Sequence, residues 1–361
     1  MQYDSRQQIV LRNLAKLGLS QMLVTDPISI FYLSGALIWP GERFLGLLIS
    51  TQQTPSLILN KLFITPAIQK LGLKLLSYED GDNAVSLLKD LCDPGQALGV
   101  DKFMASQFLL LMMKGQIAKT YETASLAVDE ARAVKDAYEQ ECMRHASQVN
   151  DQAMTELVKR LREGMSELEL AEELRSIYLS LGADRVYNPV IAFGCNAANP
   201  HHRPGDKKLQ AGDTVLLDMG CVVNSYSCDM TRTFFYKSKP TEDQARIYEI
   251  VKQANESAEA LCQPGVSFAE LDATARDHIS VAGFGDYFTH RLGHFIGLND
   301  HDYGDVSSHN FSLVQEGNTF TIEPGIYHPD ICGVRIEDVV LITKDGHEIL
   351  NQYPKDLTIL G

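Results

Sequence analysis

The sequence predicts two domains: an α/β unit over residues 1–129, then an α+β unit over residues 130–361 with helices packed on a curved antiparallel sheet. Three observations predict this. Up to about residue 127, short apolar runs alternate with amphipathic helical stretches. Beyond residue 130, strands follow helices in pairs, which suits an α+β layer structure. The second part also carries an internal repeat at an offset of 101 residues.

In chain order, QMLVTD, RFLGLLIS, SLILN and QALGVD read as buried strands, with helical stretches around residues 5–17 and 82–92. Asp129 to Arg160 reads as one long, charged, amphipathic helix, and the change of composition there marks the boundary near residue 130. In the repeat, Gly164, Ser166, Glu169, Leu170 and Gly182 recur as Gly265, Ser267, Glu270, Leu271 and Gly283. Both Ser-x-x-Glu elements read as capping boxes that start a helix, and each helix has a glycine stop. The repeat therefore predicts two duplicated halves. TVLLDMGCVV and YSCDMTRTFFY form a hairpin with Asn224-Ser225 as a two-residue turn. NTFTIEPG and GVRIEDVVLIT are the later strands.

The composition excludes several functions. A net charge of −15 argues against nucleic-acid binding. The longest aliphatic stretches are too short to cross a bilayer, and MQYDSRQQIV lacks the apolar core of a secretory signal. Seven scattered cysteines without a CxxC pair fit a reducing cytoplasm and no disulfide framework.

The chemistry lies in the strands. With Asn224-Ser225 as the turn, Gly220 faces Asp229, so Asp218 and Asp229 are diagonal neighbours on one face. Glu323 sits in TIEPG and Glu337 in VRIED, where Arg335 and Glu337 share a face. Buried carboxylates must be paired, protonated or metal-bound. Two like charges at ~4 Å repel by roughly 4 kcal/mol even at an effective dielectric of 20. Four carboxylates with only Arg335 near them in sequence therefore call for divalent cations. His290, His294 and His301 fall within FTHRLGHFIGLNDHDYG, where Gly293 and Gly297 argue for a strand or turn. One imidazole completes a donor set suited to a transition-metal pair.

NAANPHH, LLDMG, SCDMTRT, HRLGHFIG, TIEPGIY and GVRIED stand in the order and spacing of the pita-bread metallopeptidases. The sequence resembles most closely their proline-specific branch, the Xaa-Pro dipeptidases (prolidases) and aminopeptidase P. VTDPISIFYLSG and PGERFLGLLI resemble the creatinase-type N-terminal domain of that branch. The resemblance covers essentially the whole chain. It implies a creatinase-like domain over 1–129 and, over 130–361, a pita-bread catalytic domain with pseudo-twofold halves.

The resemblance also implies roles. Asp218 would bind one metal, Asp229 and Glu337 would bridge two, and His294 and Glu323 would bind the other. His201 would stabilise the transition state, His290 and His301 would line the substrate site, and Arg335 would support Glu337. The ions would be Mn²⁺, with Co²⁺ or Zn²⁺ as alternatives, and a bridging hydroxide would attack the bond before proline. Glu323 would also serve as general base. Arg291 would pair with a dipeptide's carboxylate, and Trp39 would reach a neighbouring subunit's site in a homodimer. The implied activity is Xaa-Pro dipeptidase, with aminopeptidase P as the alternative; no nucleic acid or membrane is implied as a partner. His202 has a lesser claim than His201. Where relatives carry GHGIG this chain has Phe295, expected to narrow the pocket beside His294, and Asp302 replaces a common Glu after His301. The intact ligand set argues against a metal-free binding module and against creatinase. The N-terminal domain and the VRIED strand argue against methionine aminopeptidase.

Overall fold

A computed structural model describes residues 2–361. The chain divides into two compact units between Arg132 and Ala133, three residues past the expected 129/130 boundary. The expected helix over Asp129 to Arg160 is in fact two helices, Ser125–Ala133 and Ala137–Val158. Between them Val134 bridges Asn318, and the Lys135 N–H donates to the Gly317 carbonyl at 2.8 Å. Asp136 then caps the second helix through a capping box with Glu139. That D-x-x-E signal marks the true start of the helix.

The N-terminal unit is built on one six-stranded mixed sheet. Its strand order is Lys74–Tyr78, Ser56–Asn60, Gly46–Ser50, Gln21–Val24, Ala97–Val100, Thr120–Thr123. The four strands expected from sequence lie at its centre and are largely buried. The stretch expected to be helical at 82–92 is a seven-residue 3₁₀ turn, Ala84–Asp90, with no side-chain cap.

The second unit carries two helix pairs, Ala137–Val158 with Glu167–Ser180 and Glu242–Leu261 with Phe268–Val281. Each pair has its own apolar core. Leu170, Leu174 and Tyr178 pack with Ile191, Val215 and Phe234; Leu271, Ala275 and Ile279 pack with Phe320, Ile322 and Val340. Ser166 and Ser267 both close capping boxes over fourteen-residue helices. Backbone bonds follow the same repeat. The Glu167 N–H donates to the Lys207 carbonyl where that of Phe268 donates to Ser312, and Gly164 donates to Leu209 where Gly265 donates to Val314. Among the partners the offset becomes 105 residues, and it aligns AGDTVLLDMG with EGNTFTIEPG. Fully buried Asn150 and Asn255, also 105 apart, donate to the carbonyls of Met219 and Ile322 at 3.0 Å. The unit is thus a pita-bread fold with two duplicated halves, and Asp218 and Glu323 occupy equivalent strand ends.

The sheet is antiparallel apart from a short parallel pairing of Phe235–Tyr236 with Ile359–Leu360. The run GVRIEDVVLIT is not one strand. Cys332–Arg335 pairs with Gly325–His328, and Asp338–Thr343 pairs with Thr319–Ile322. The break between them contains Glu337, whose N–H donates to the Thr231 carbonyl at 3.1 Å. That crossing point joins the two halves.

Candidate metal centre

The first two carboxylates are placed by a turn. Asn224 and Ser225 have φ of 51° and 69°, the left-handed pair of a two-residue hairpin whose twist suits its strands. Val223 then faces Tyr226, and Asp218 faces Thr231. Between these pairs the register sets Gly220 against Asp229, and a β-carbon on Gly220 would lie 2.4 Å from the Cys228 carbonyl oxygen. Asp218 and Asp229 therefore emerge diagonally on one face.

His294 lies on the two-residue strand Gly293–His294, paired with Asp305–Val306. A β-carbon on Gly293 would overlap the Thr321 carbonyl oxygen, so only glycine lets this strand approach. The His294 Nδ1 is 3.2 Å from the Phe295 carbonyl, an arrangement that places the proton on Nδ1. Its Nε2 faces Glu323 Oε1 at 3.6 Å and Asp229 Oδ2 at 3.8 Å with a free lone pair. Glu323 follows strand Thr319–Ile322, and its N–H donates to the Leu292 carbonyl at 2.8 Å. Buried Glu337 accepts from the Thr231 hydroxyl at 2.6 Å.

Asp229, His294 and Glu337 each offer a donor atom, and these atoms lie within 4.8 Å of one another. Carboxylate oxygens with one imidazole nitrogen are a donor set for a divalent transition metal. Electrostatics point the same way. Burial first, then Asp218 and Glu323, raise the Asp229 carboxyl well above its ordinary range. Burial, then Asp229 and Glu323, do the same to Glu337. Burial pushes Glu323 up to about 7, with Asp218 adding to the rise against Arg335. These acids resist ionising together unless cations accompany them.

Of the five expected ligands, Glu323 and Asp218 stand outside that group of three: Glu323 remains beside His294, whereas Asp218 is paired with an arginine. The Asp218 Oδ2 accepts from Arg335 Nη2 at 2.5 Å. The same guanidinium donates from Nε to the Thr231 hydroxyl at 3.1 Å and from Nη1 to the Tyr327 hydroxyl at 2.7 Å. The hydrogen-bonded link from Arg335 to Glu337 thus runs through Thr231, and the guanidinium charge also acts on Glu337 directly. Tyr327 also lies 2.8 Å from His290 Nε2, and burial raises its phenol to about 12. Sequence reasoning misses Thr231 and Tyr327, although both lie within the motifs SCDMTRT and TIEPGIY.

The other expected residues surround this cluster. His301 stacks on His294 with centroids 3.7 Å apart, and Arg291 Nη2 is 3.2 Å from its Nδ1. Burial lowers His290 to about 4 and His294 to about 3. His201 is exposed and close enough for its charge to act on His290 and His301. His202 turns away and contacts buried Glu167. Trp39 belongs to the N-terminal unit and is 58% exposed. Phe295 does not narrow the pocket beside His294. Its ring is buried between Phe268 and Phe320, at 5.2 and 5.8 Å, because alternation sends it to the opposite face.

Inward carboxylates and a lone-pair imidazole, gathered on a duplicated fold, define a candidate divalent-metal site. Residues 141–344 match Metallopeptidase family M24, and residues 6–134 match the Creatinase/Prolidase N-terminal domain. The Bacillus subtilis protein YkvY is 36% identical over 345 residues, covering 92% of this chain and 93% of its own. Prolidase from Thermococcus sibiricus superposes with a TM-score of 0.93 at 31% identity over 100% of both chains. X-Pro aminopeptidase from Thermotoga maritima gives 0.85 at 28% identity, covering 98% of this chain and 99% of its own. The chain belongs to metallopeptidase family M24, in the prolidase-like M24B branch, and carries that branch's creatinase-type N-terminal domain. Among the described residues, no helix is long and apolar enough to cross a membrane.

Proposed function

We propose that this metallopeptidase is an Xaa-Pro dipeptidase with two divalent ions per subunit. The observation that carries the reading is the convergence of Asp229, His294 and Glu337 within 4.8 Å, with Glu323 beside them. Asp229 and Glu337 would be shared between the ions, His294 and Glu323 would hold one, and Asp218 the other. Bound ions would supply a hydroxide nucleophile near neutral pH and polarise the scissile carbonyl. Mn²⁺ is the proposed metal, Co²⁺ or Zn²⁺ being the alternatives.

The side chains divide the remaining work. Glu323, beside the proposed nucleophile, is the residue placed to take a proton and return it to the leaving proline nitrogen. His201 and His301 donate to the oxygen that gains charge. His290, neutral at working pH and bonded to Tyr327, lines the substrate side. Arg291 is exposed beside His301 and takes the free carboxylate of a dipeptide, which makes short substrates the better fit. A homodimer in the cytoplasm, with Trp39 at the subunit contact, completes the reading.

The deciding experiment compares a Leu-Pro dipeptide with a longer Xaa-Pro-Xaa peptide, using protein loaded with Mn²⁺. Cleavage of the dipeptide supports the proposal. Cleavage of only the longer peptide makes it an aminopeptidase P. A purified protein with well under one ion per chain and no hydrolysis after Mn²⁺ or Co²⁺ addition ends the metal reading altogether.

A further inference from the structure

Glu167 is a fully buried carboxylate outside the metal cluster, at the first position of helix Glu167–Ser180. An acid is common in a first helical turn because it favours the positive end of the dipole. Here the carboxylate serves another segment. Oε1 accepts from the Phe193 N–H at 2.9 Å and the Asn196 amide at 2.8 Å; Oε2 lies 2.7 Å from His202 Nε2 and accepts from the Gly205 N–H at 3.0 Å. All four partners lie on residues 193–205, the stretch that carries His201.

The duplication supplies an internal control. The equivalent residue in the other half is Phe268, which starts its helix with the same serine cap and the same backbone bridge. Phe268 packs on Phe295, directly after His294. Neither the helix nor the fold therefore demands an acid at this position; the loop's four donors do. The loop is also gripped from its far side. The Pro200 carbonyl accepts from Arg335 Nη1 at 3.4 Å, and Gly333 lacks a β-carbon where one would overlap the Ala197 carbonyl oxygen.

We propose that Glu167 is a positioning residue that locks the 193–205 loop through His202, Asn196 and two backbone N–H groups, and so fixes His201 for transition-state stabilisation. This rests on the His201 role proposed above. A loop held at several points keeps an exposed imidazole within the narrow geometry that catalysis requires. His202 is then a structural latch.

The test uses the Mn²⁺-loaded full-length protein with a Leu-Pro dipeptide. Glu167→Gln sets an amide N–H against existing donors. It is expected to lower kcat about 10–100-fold, the loss of one or two charge-assisted hydrogen bonds, while KM and bound metal stay near normal. His202→Gln keeps a donor and preserves kcat, whereas His202→Leu does not. Amide exchange at Phe193, Asn196 and Gly205 speeds up in Glu167→Gln. The double variant with His201→Ala is no slower than His201→Ala alone. If the two losses multiply, or if metal content falls with kcat, Glu167 does not act through His201 and the proposal is overturned. If His201→Ala alone retains full kcat, the reading of His201 fails, and this proposal fails with it.

Discussion

Arg335 Nη2 lies 2.5 Å from Asp218 Oδ2, while its Nε holds the Thr231 hydroxyl that donates to Glu337. One planar cation therefore orients carboxylates from both halves of the fold. Lysine has a charge but no fork. Arg335→Lys is expected to lower kcat about 10–100-fold, as when a charge-assisted bond of about 1.5–3 kcal/mol is lost, and to weaken metal retention. Steady-state kinetics and metal analysis check this. Unchanged values for both would remove Arg335 from the orienting role.

The carboxyl cluster makes the metal-free protein pH-sensitive in a specific window. Glu323 rises from 4.5 to about 7 on folding, and Asp229 and Glu337 also rise. An acid whose pKa rises on folding keeps its proton longer in the folded chain, so stability falls as pH climbs from its unfolded value through its folded one. His290 and His294 fall from 6.5 to about 4 and about 3, and their effect has the opposite sign. The histidine contribution to the slope persists up to the unfolded value of 6.5 and fades above it, whereas Glu323 is half-titrated in the folded chain only at about 7. Metal-free protein should therefore lose thermal stability as pH climbs past 6.5 through about 7, where the opposing histidine effect fades and the raised acids ionise, and saturating Mn²⁺ should remove that slope. A flat metal-free Tm across the window would mean the acids are already ionised without cations.

Much of this centre was legible in the sequence because strand alternation is a strict code. The Asn224-Ser225 turn alone sets Gly220 against Asp229, and hence the Asp218–Asp229 diagonal. Other features were hidden because they depend on contacts distant in sequence. The break at Glu337 exists because its N–H pairs with Thr231, 106 residues away. The direction of Phe295 follows from the two-residue strand at Gly293–His294, which is too short to show a period. The second repeat, at offset 105, was visible in AGDTVLLDMG and EGNTFTIEPG but falls outside the 101-residue register.

Phe295 gives a sharp separation of packing from chemistry. Its ring is 4% exposed and shares a core with Phe268, Phe320 and Ile322. Phe295→Ala should cost about 3–5 kcal/mol of stability, the usual penalty for deleting a buried phenyl ring. KM for a Leu-Pro dipeptide should change little at temperatures where the variant is folded. A large fall in KM with unchanged Tm would return Phe295 to the pocket wall.

The hairpin turn tests whether backbone geometry alone positions the metal ligands. Ser225 holds φ at 69°, and its N–H donates to Asp184 Oδ2 at 3.0 Å. A β-carbon in this region costs about 1–2 kcal/mol. Ser225→Gly relieves that strain, keeps the N–H and creates the Asn-Gly pair favoured in such turns. It should raise stability by about 0.5–1 kcal/mol after glycine's entropy is counted, with activity and metal content unchanged. Ser225→Pro fixes φ near −65° and removes the donor. It should shift the hairpin pairing, and a one-residue slip sends every side chain to the opposite face, separating Asp218 from Asp229. The expected result is loss of metal retention together with loss of turnover. A Ser225→Pro protein that still binds metal at the native stoichiometry would show that the strands hold their register without the turn, and that the ligand diagonal is fixed by the sheet beyond it.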